Sequence, residues 1–212
     1  MLIALPRSSS YVLNNLPNKR MRLMSKIAVL LTQGFADWEY ALIGGTGGPF
    51  YGLDVRYFTP SVGEVQSQGG LSAKVTQDVD ALRAWQPDAM AVIGGTIWET
   101  RDAPDMRRFL KDQHSGGAVI AGICGGTLAL ARAGLLDDVI HTSNDPAFLS
   151  ENAVGYAGDK HYLTSPSAIS ENRIITAPGT APVSFTAAIF ESAGVDKAAI
   201  TYFKTMMAAE HG

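Results

Sequence analysis

Short apolar runs alternate with helix-length segments along most of this chain, and glycine-rich or polar loops follow the runs. Such runs are typical of strands buried on both faces, which occur in parallel sheets whose connections are helices. The sequence therefore predicts an α/β fold, with a mostly parallel sheet and helices on both of its faces. The predicted strands cover residues 27–32, 53–59, 89–93, 118–123, 139–143 and 173–177, with a further possible one at 71–77.

Predicted helices fill most of the segments between these strands. They cover residues 37–43, 79–85, 104–114, 128–132, 146–152, 185–193 and 198–209. A glycine cluster at residues 44–48 follows the first helix, and we expect a flexible loop or a helix break there. The cluster lacks the lysine and the spacing of a phosphate-binding loop.

Cys124 is the single cysteine of the chain, and it stands where an apolar run gives way to Gly125 and Gly126. A sharp turn from strand to helix projects a side chain above the sheet, close to the first free N–H groups of the helix, whose dipole favours a thiolate. A lone cysteine in an apolar run is commonly a small buried hydrophobe. The flanking glycines favour the other interpretation, a nucleophile elbow with sulfur at its tip.

Composition excludes several classes of protein. The formal net charge of −3 and the pI of about 5.8 give no basic footprint for nucleic acid. No run of roughly 20 consecutive apolar residues, the length of a membrane span, occurs in the sequence. One cysteine cannot form an internal disulfide, and with 4 scattered histidines it predicts no metal site. We therefore expect a cytoplasmic protein without nucleic-acid or membrane partners.

The first 25 residues differ in charge from the rest of the chain. They contain four basic residues and no acid, whereas 26–212 has 13 basic and 20 acidic residues. We interpret 1–25 as a basic, disordered leader or an extension ahead of a start at Met24, and 26–212 as a single domain. An organellar presequence is the remaining alternative, but Pro6 and Pro17 interrupt any long amphipathic helix.

A thiol nucleophile needs a group that takes its proton and donors that stabilise an oxyanion. Glu39 follows the first predicted strand, so a parallel sheet would bring it to the same edge as Cys124. Gly94 and Gly95 end another strand at that edge. We expect their N–H groups, with that of Gly125, to face a substrate oxygen.

These residues resemble the ThiJ/PfpI family of the class I glutamine amidotransferase-like superfamily. The marks are the early acid Glu39, the strand end 93–95, the elbow 121–125, and Pro178-Gly179-Thr180 ahead of the helix-like segment 185–191. The resemblance covers most of 26–194. It implies a flavodoxin-like sandwich, a homodimer, and an acid that hydrogen-bonds the cysteine and stabilises its thiolate, with Cys124 and Glu39 in those two positions.

Two departures from the family's patterns narrow the activity. Its proteases and cofactor-independent glyoxalases generally carry a histidine immediately after the cysteine, where this chain has Gly125. Glutamine amidotransferases use a C-terminal histidine and glutamate, and the corresponding stretch, 178–185, contains neither. The comparison with the family therefore disfavours a peptidase, the usual glyoxalase arrangement and a true glutamine amidotransferase.

Three further residues are candidates for the site. His141 lies where relatives supply a histidine or another polar group near the sulfur, and we consider it either catalytic or, alternatively, a hydrogen-bonded structural residue. On a strand it would share one face with Ser143, opposite Thr142. Trp98 and Asn144 are predicted to line the pocket.

The predicted function is a cysteine-dependent small-molecule enzyme. Cys124 would attack an electrophilic carbon of a small metabolite with the help of Glu39, in hydrolysis, hydration or glyoxal-type carbonyl chemistry, and no cofactor is implied. The alternative is a redox-responsive or chaperone-like stress protein, in which Cys124 is oxidised to sulfinate and nothing is turned over.

Overall fold

The computed structural model describes residues 24–209. The expectations for residues 1–23 of the leader lie outside the described residues and stay predictions. The strands are β1 (Lys26–Leu30), β2 (Asp54–Phe58), β3 (Gly63–Gln66), β4 (Ser72–Val75), β5 (Ala89–Val92), β6 (Val119–Ile123), β7 (Ile169–Glu171) and β8 (Ile174–Ala177). The α-helices are α1 (Asp37–Tyr51), α2 (Val79–Trp85), α3 (Arg107–Ser115), α4 (Gly126–Arg132), α5 (Pro146–Asn152), α6 (Pro182–Ser192) and α7 (Lys197–Ala208).

One sheet organises these elements, in the strand order β2-β1-β5-β6-β8-β7. Its first five strands are parallel, and β7 runs antiparallel to β8 at one edge. The predicted α/β class with a flavodoxin-like, mostly parallel sheet is confirmed. β3 and β4 form a separate antiparallel hairpin. Neither β3 nor β7 was predicted, because each is short and largely polar.

The core has two layers, one on each face of the sheet. Along β1, Ile27 and Val29 point into one hydrophobic cluster, while Ala28 and Leu30 point into the other. This alternation follows from the two-residue period of a strand, with both faces apolar as in other parallel sheets. Helices α1, α6 and α7 cover the first face, and α2, α3, α4 and α5 cover the second.

Helix α1 runs through the glycine cluster, so the expected loop or break at residues 44–48 is wrong. A Cβ on Gly44 would lie 1.9 Å from the Tyr57 hydroxyl, and one on Gly47 would lie 2.8 Å from Cγ2 of Val55. Packing against β2 therefore requires small residues here and outweighs their weak intrinsic helix propensity. The helix ends at Gly52, whose φ of 64° is left-handed.

The segment 139–143 is not a strand, contrary to the prediction. It forms a single bridge, between His141 and Tyr162. The place beside β6 that this segment would occupy is taken by β8. The His141 N–H donates to the His161 carbonyl, and the His141 carbonyl accepts from the Leu163 N–H. The Thr142 N–H donates to a side chain, Thr176 Oγ1, at 2.9 Å. The segment is held as an ordered loop at the carboxyl edge of the sheet.

Candidate active site

The turn at Cys124 has the geometry of a nucleophile elbow. Cys124 has a φ of 53°, in the left-handed region that costs a non-glycine residue about 1–2 kcal/mol. Its N–H donates to the Ala177 carbonyl at 3.0 Å, which ties the end of β6 to the end of β8. A Cβ on Gly126 would lie 2.2 Å from the Val92 carbonyl oxygen, so the chain can turn this tightly only with glycine there. The half-buried thiol lies between β6 and α4.

Glu39 lies in the first turn of α1, and its side chain has no exposed surface. Oε2 accepts a hydrogen bond from the Gly94 N–H at 2.7 Å, whereas Oε1 has no hydrogen-bond partner among the described residues. The pKa of this carboxyl is raised to about 7, because burial disfavours the charged form. Glu39 is therefore a group that can hold or release a proton near neutral pH.

The structure brings Glu39 and Cys124 together. A Cβ placed on Gly179 would lie 3.0 Å from Cys124 Sγ and 3.3 Å from Glu39 Oε1. A Cβ on Gly94 would lie 2.6 Å from Glu39 Oε2 and 2.8 Å from Cys124 Cβ. Because Gly94 and Gly179 have no side chains, the thiol of Cys124 and the carboxyl of Glu39 can lie next to each other. No hydrogen bond of normal geometry joins these two groups.

The environment of the thiol opposes ionisation more than the sequence predicted. The pKa of Cys124 is raised to about 11, first by burial and then by the Glu39 carboxylate that faces it. The Asn144 side-chain amide and the Gly125 N–H act in the opposite direction. The sequence predicted a thiolate favoured by the helix dipole and by the acid, whereas in the resting pair the pKa of Cys124 is shifted in the opposite direction. Because the two groups are coupled, the first proton that leaves belongs to the pair.

The backbone donors differ from those predicted. The Gly94 N–H holds Glu39 and is not free for a substrate oxygen, so that prediction is wrong. The Gly95 N–H makes no backbone hydrogen bond within residues 24–209, and the Gly125 N–H faces the sulfur. A Cβ on Gly125 would lie 3.3 Å from the Gly95 nitrogen, which places these two glycines side by side.

His141 belongs to the structure of the loop. Its Nδ1 lies 2.8 Å from the Val139 carbonyl and therefore donates to it, which leaves Nε2 to accept from the Tyr156 hydroxyl at 2.7 Å. Burial lowers the pKa of this imidazole. Both ring nitrogens are satisfied and neither contacts the sulfur, so His141 fits the structural alternative and not the catalytic one.

Of the two tryptophans near the site, Trp98 was predicted to line the pocket, and the structure does not place it there. Trp98 is fully buried and donates from Nε1 to the Ile93 carbonyl at 2.9 Å, so it supports the loop and offers no open pocket wall. Trp38 is 50% exposed and donates from Nε1 to the Gly179 carbonyl at 2.9 Å, so it lies closer to the open side of the site. Trp38 directly precedes Glu39 in the sequence, and this position could have indicated that Trp38 lies near the site. Asn144 lies at the sulfur, with Nδ2 3.4 Å from Sγ.

The described residues contain neither a cluster of metal ligands nor a membrane-spanning helix. Within residues 24–209, no group of three or more histidine, cysteine or acidic side chains is arranged to hold a metal ion. In the same range, every helix is too short or too polar to cross a bilayer.

The fold and the elbow agree with a comparison to known protein families. The DJ-1/PfpI family model matches residues 25–192. The chain therefore belongs to the DJ-1/PfpI family, which confirms the resemblance noted from its sequence.

Individual relatives extend over nearly the whole chain. A DJ-1 superfamily protein from Agrobacterium tumefaciens is 36% identical, with a TM-score of 0.84 over 89% of this chain and 100% of the other. A thiJ/pfpI family protein from Bacillus anthracis is 25% identical, with a TM-score of 0.78 over 89% and 92% of the two chains. The protein named uncharacterized protease YoaZ, from Bacillus subtilis, is 28% identical over 80% of this chain and 84% of its own length.

Proposed function

We propose that this protein is a cysteine-dependent enzyme that acts on small carbonyl electrophiles, with Cys124 as nucleophile and Glu39 as its proton carrier. The observation that carries the proposal is the unpartnered Oε1 of a fully buried carboxyl beside the sulfur. An acid with a pKa of about 7 is suited to both accept and return a proton at neutral pH. The homodimer and the cytoplasmic location expected from the sequence stay predictions.

The proposed first step is addition of the thiol to a carbonyl carbon. The Glu39 carboxylate takes the thiol proton while Sγ forms a bond to the carbon, and the electron pair of the C=O π bond moves to oxygen. The N–H groups of Gly95 and Gly125 are the donors available to that oxyanion. Glu39 then returns the proton to the oxygen, which gives a neutral hemithioacetal. For a 2-oxoaldehyde, transfer of the proton on the hemithioacetal carbon to the neighbouring carbonyl carbon gives a thioester, and attack by water then breaks its C–S bond to give a 2-hydroxy acid and the free Cys124 thiol.

A peptidase remains disfavoured, although relatives such as YoaZ are named as uncharacterized proteases. Expulsion of an amine needs a proton donor that reaches the leaving nitrogen. His141, the one histidine that the sequence predicted to lie near the sulfur, has both ring nitrogens engaged, with Val139 and with Tyr156. We expect no cleavage of a denatured protein such as casein.

The test compares wild type with Cys124→Ser and Glu39→Gln on a panel of small aldehydes, 2-oxoaldehydes and activated esters. Turnover in wild type that disappears in Cys124→Ser and falls by about a hundredfold in Glu39→Gln would support the proposal. Thermal melts establish that both variants are folded. An absence of turnover across the panel, or turnover that survives in Cys124→Ser, would overturn it.

The raised pKa of Glu39 supports the redox alternative, because a protonated carboxyl can donate a hydrogen bond to a sulfinate oxygen on Cys124. Mass spectrometry of the intact protein after peroxide treatment distinguishes the two. Stoichiometric sulfinate formation at low peroxide, in a protein that turns over nothing on the panel, would favour the sensor.

A further inference from the structure

Asn144 directs its side-chain amide at the reacting sulfur. Nδ2 lies 3.4 Å from Cys124 Sγ, and Oδ1 accepts a hydrogen bond from the Gly179 N–H at 3.0 Å. A backbone N–H can only donate, so it requires the carbonyl oxygen of the amide on its own side. This contact fixes the orientation of the Asn144 amide, so its NH₂ group faces the sulfur.

The loop that carries Asn144 is tied to the elbow through Ser143. The Tyr162 hydroxyl bonds both the Ser143 N–H, at 3.3 Å, and the Ser143 carbonyl, at 3.2 Å. Thr127 Oγ1 lies 2.6 Å from both the Cys124 carbonyl and Ser143 Oγ. Because the single hydroxyl proton of Thr127 goes to the Cys124 carbonyl, Ser143 is the donor to Thr127. The residue before Asn144 is thus fixed to the backbone of Cys124 itself.

The thiolate needs such a donor more here than in a site with a histidine. Burial and the Glu39 carboxylate both disfavour negative charge on the sulfur, and Asn144 opposes them together with the Gly125 N–H. Asn144 is exposed at the mouth of the site, so its amide can also reach a bound ligand. Hydrogen bonds to charged atoms are roughly twice as strong as those between neutral groups.

We propose that Asn144 is a catalytic residue, whose amide stabilises the Cys124 thiolate as its proton leaves for Glu39. This rests on the proposed function, since the thiolate is the species that adds to the carbonyl carbon. Once the C–S bond forms, the negative charge moves to the carbonyl oxygen, and the amide N–H becomes available to that oxygen. No bond to Asn144 forms or breaks, and no co-reactant is required.

The test measures the rate of Cys124 alkylation by iodoacetamide as a function of pH. Asn144→Asp keeps the size of the side chain and an acceptor for the Gly179 N–H but removes the donor. Asn144→Leu removes the donor without adding charge. Asn172→Asp, an exposed change in the turn between β7 and β8, is the matched control.

We expect both Asn144 variants to alkylate about tenfold more slowly at neutral pH, with the midpoint of the profile moved up by about one pH unit. Asn172→Asp should match wild type. Where wild type turns over a substrate, kcat should fall in the Asn144 variants by more than KM changes. Alkylation profiles in Asn144→Asp and Asn144→Leu that coincide with wild type would overturn the proposal.

The alkylation profile separates this inference from the proposed function. If wild type turns over nothing on the panel, the proposed function fails, and the profile still shows whether Asn144 stabilises the thiolate. If turnover depends on Cys124 and Glu39 but neither turnover nor alkylation responds at Asn144, this inference fails alone.

Discussion

The two edges of the sheet differ in what they offer a ligand. The amino edge, where β5, β6 and β8 begin, has a groove of about 1080 Å³ lined by both acidic and basic side chains, including Arg83, Asp88 and Glu191. The carboxyl edge instead has a buried acid with an unpartnered oxygen beside a half-buried thiol. The groove at the amino edge therefore lies away from the thiol and the buried acid. Volume shows where a molecule fits, whereas buried charge and backbone strain show where chemistry is prepared.

Left-handed residues occur at both edges, and their causes differ. At the amino edge, Asn172 and Arg173 have φ values of 48° and 63°. Together they form the tight turn between β7 and β8, a kind of turn in which both central residues commonly take positive φ. At the carboxyl edge, Cys124 takes its φ of 53° at the junction of β6 and α4, and this conformation presents the sulfur. Strain at the amino edge closes a hairpin, and strain at Cys124 positions a nucleophile.

We expect the largest effect from a glycine-to-alanine substitution at the carboxyl edge, and a similar substitution at the amino edge serves as its counterpart. Gly179→Ala places a Cβ 3.0 Å from Cys124 Sγ, so the thiol or the loop must shift. We expect alkylation of Cys124 and any turnover to fall on the order of a hundredfold. At the amino edge, Gly117 has a φ of 104° and lies away from the thiol. Gly117→Ala should cost about 1–2 kcal/mol of stability with unchanged alkylation.

Alkylation kinetics and urea unfolding of both variants provide the measurement. If Gly179→Ala reacts like wild type, the space around the sulfur is not as restricted as the structure has it. If Gly117→Ala slows alkylation of Cys124, the amino edge influences the thiol, and the two edges do not have the separate roles described above.

The sequence predicted the placement of Cys124 and Glu39 at one edge, and the reason is general. Parallel strands bring their carboxyl ends together whatever their loops contain, so residues just after β1 and β6 had to meet. The partner of each group could not be predicted in the same way. The Gly94 N–H has the same sequence context as the Gly95 N–H, but only the former lies under Glu39. Which N–H bonds to Glu39 depends on the path of the loop after β5, and a sequence pattern does not specify that path.

Tertiary packing overturned two local predictions. The glycines of α1 are poor helix formers, yet the helix persists because Gly44 and Gly47 admit Tyr57 and Val55 of the neighbouring strand. Residues 139–143 have strand-like composition, yet β8 occupies the position beside β6. In both cases the decisive contact comes from a distant part of the chain, which a reading of local propensity does not include.

The next effect concerns the pH dependence of stability. The folded pKa of Glu39, about 7, lies above the usual 4.5, so the folded protein binds this proton more tightly than the unfolded chain does. The resulting stabilisation is complete below about pH 4.5 and is lost as the pH rises through 7. Relative to Glu39→Gln, wild type should therefore lose about 2–3 kcal/mol across this window.

Urea unfolding at a series of pH values measures this difference. Glu191→Gln, which changes an exposed acid in the amino-edge groove, is the control. Parallel pH profiles for wild type and Glu39→Gln would mean that the buried carboxyl does not hold its proton more tightly in the folded state. The carboxyl edge would then lose the feature that distinguishes it.

The smallest effect concerns the charge of the electrophile. The loops of the carboxyl edge at 31–36, 66–71, 94–96, 141–145 and 178–181 contain no lysine or arginine, whereas Asp37 and Asp145 lie at the N-terminal ends of α1 and α5. The amino-edge groove, in contrast, includes Arg83 and Arg173. Negative charge near the thiol repels an anion and is screened by salt. We therefore expect iodoacetate to alkylate Cys124 about threefold more slowly than iodoacetamide does, after both rates are normalised to a free thiol.

The Asp145→Asn variant shows whether that difference is electrostatic. The Asp145 side chain accepts from the Ala147 and Phe148 N–H groups at the start of α5, and asparagine caps a helix about as well. The loop should therefore keep its shape while one negative charge is lost, so the two reagents should become more alike in the variant and in high salt. A preference for iodoacetate in wild type would mean that cationic groups reach the sulfur, and the carboxyl edge would then favour anionic substrates.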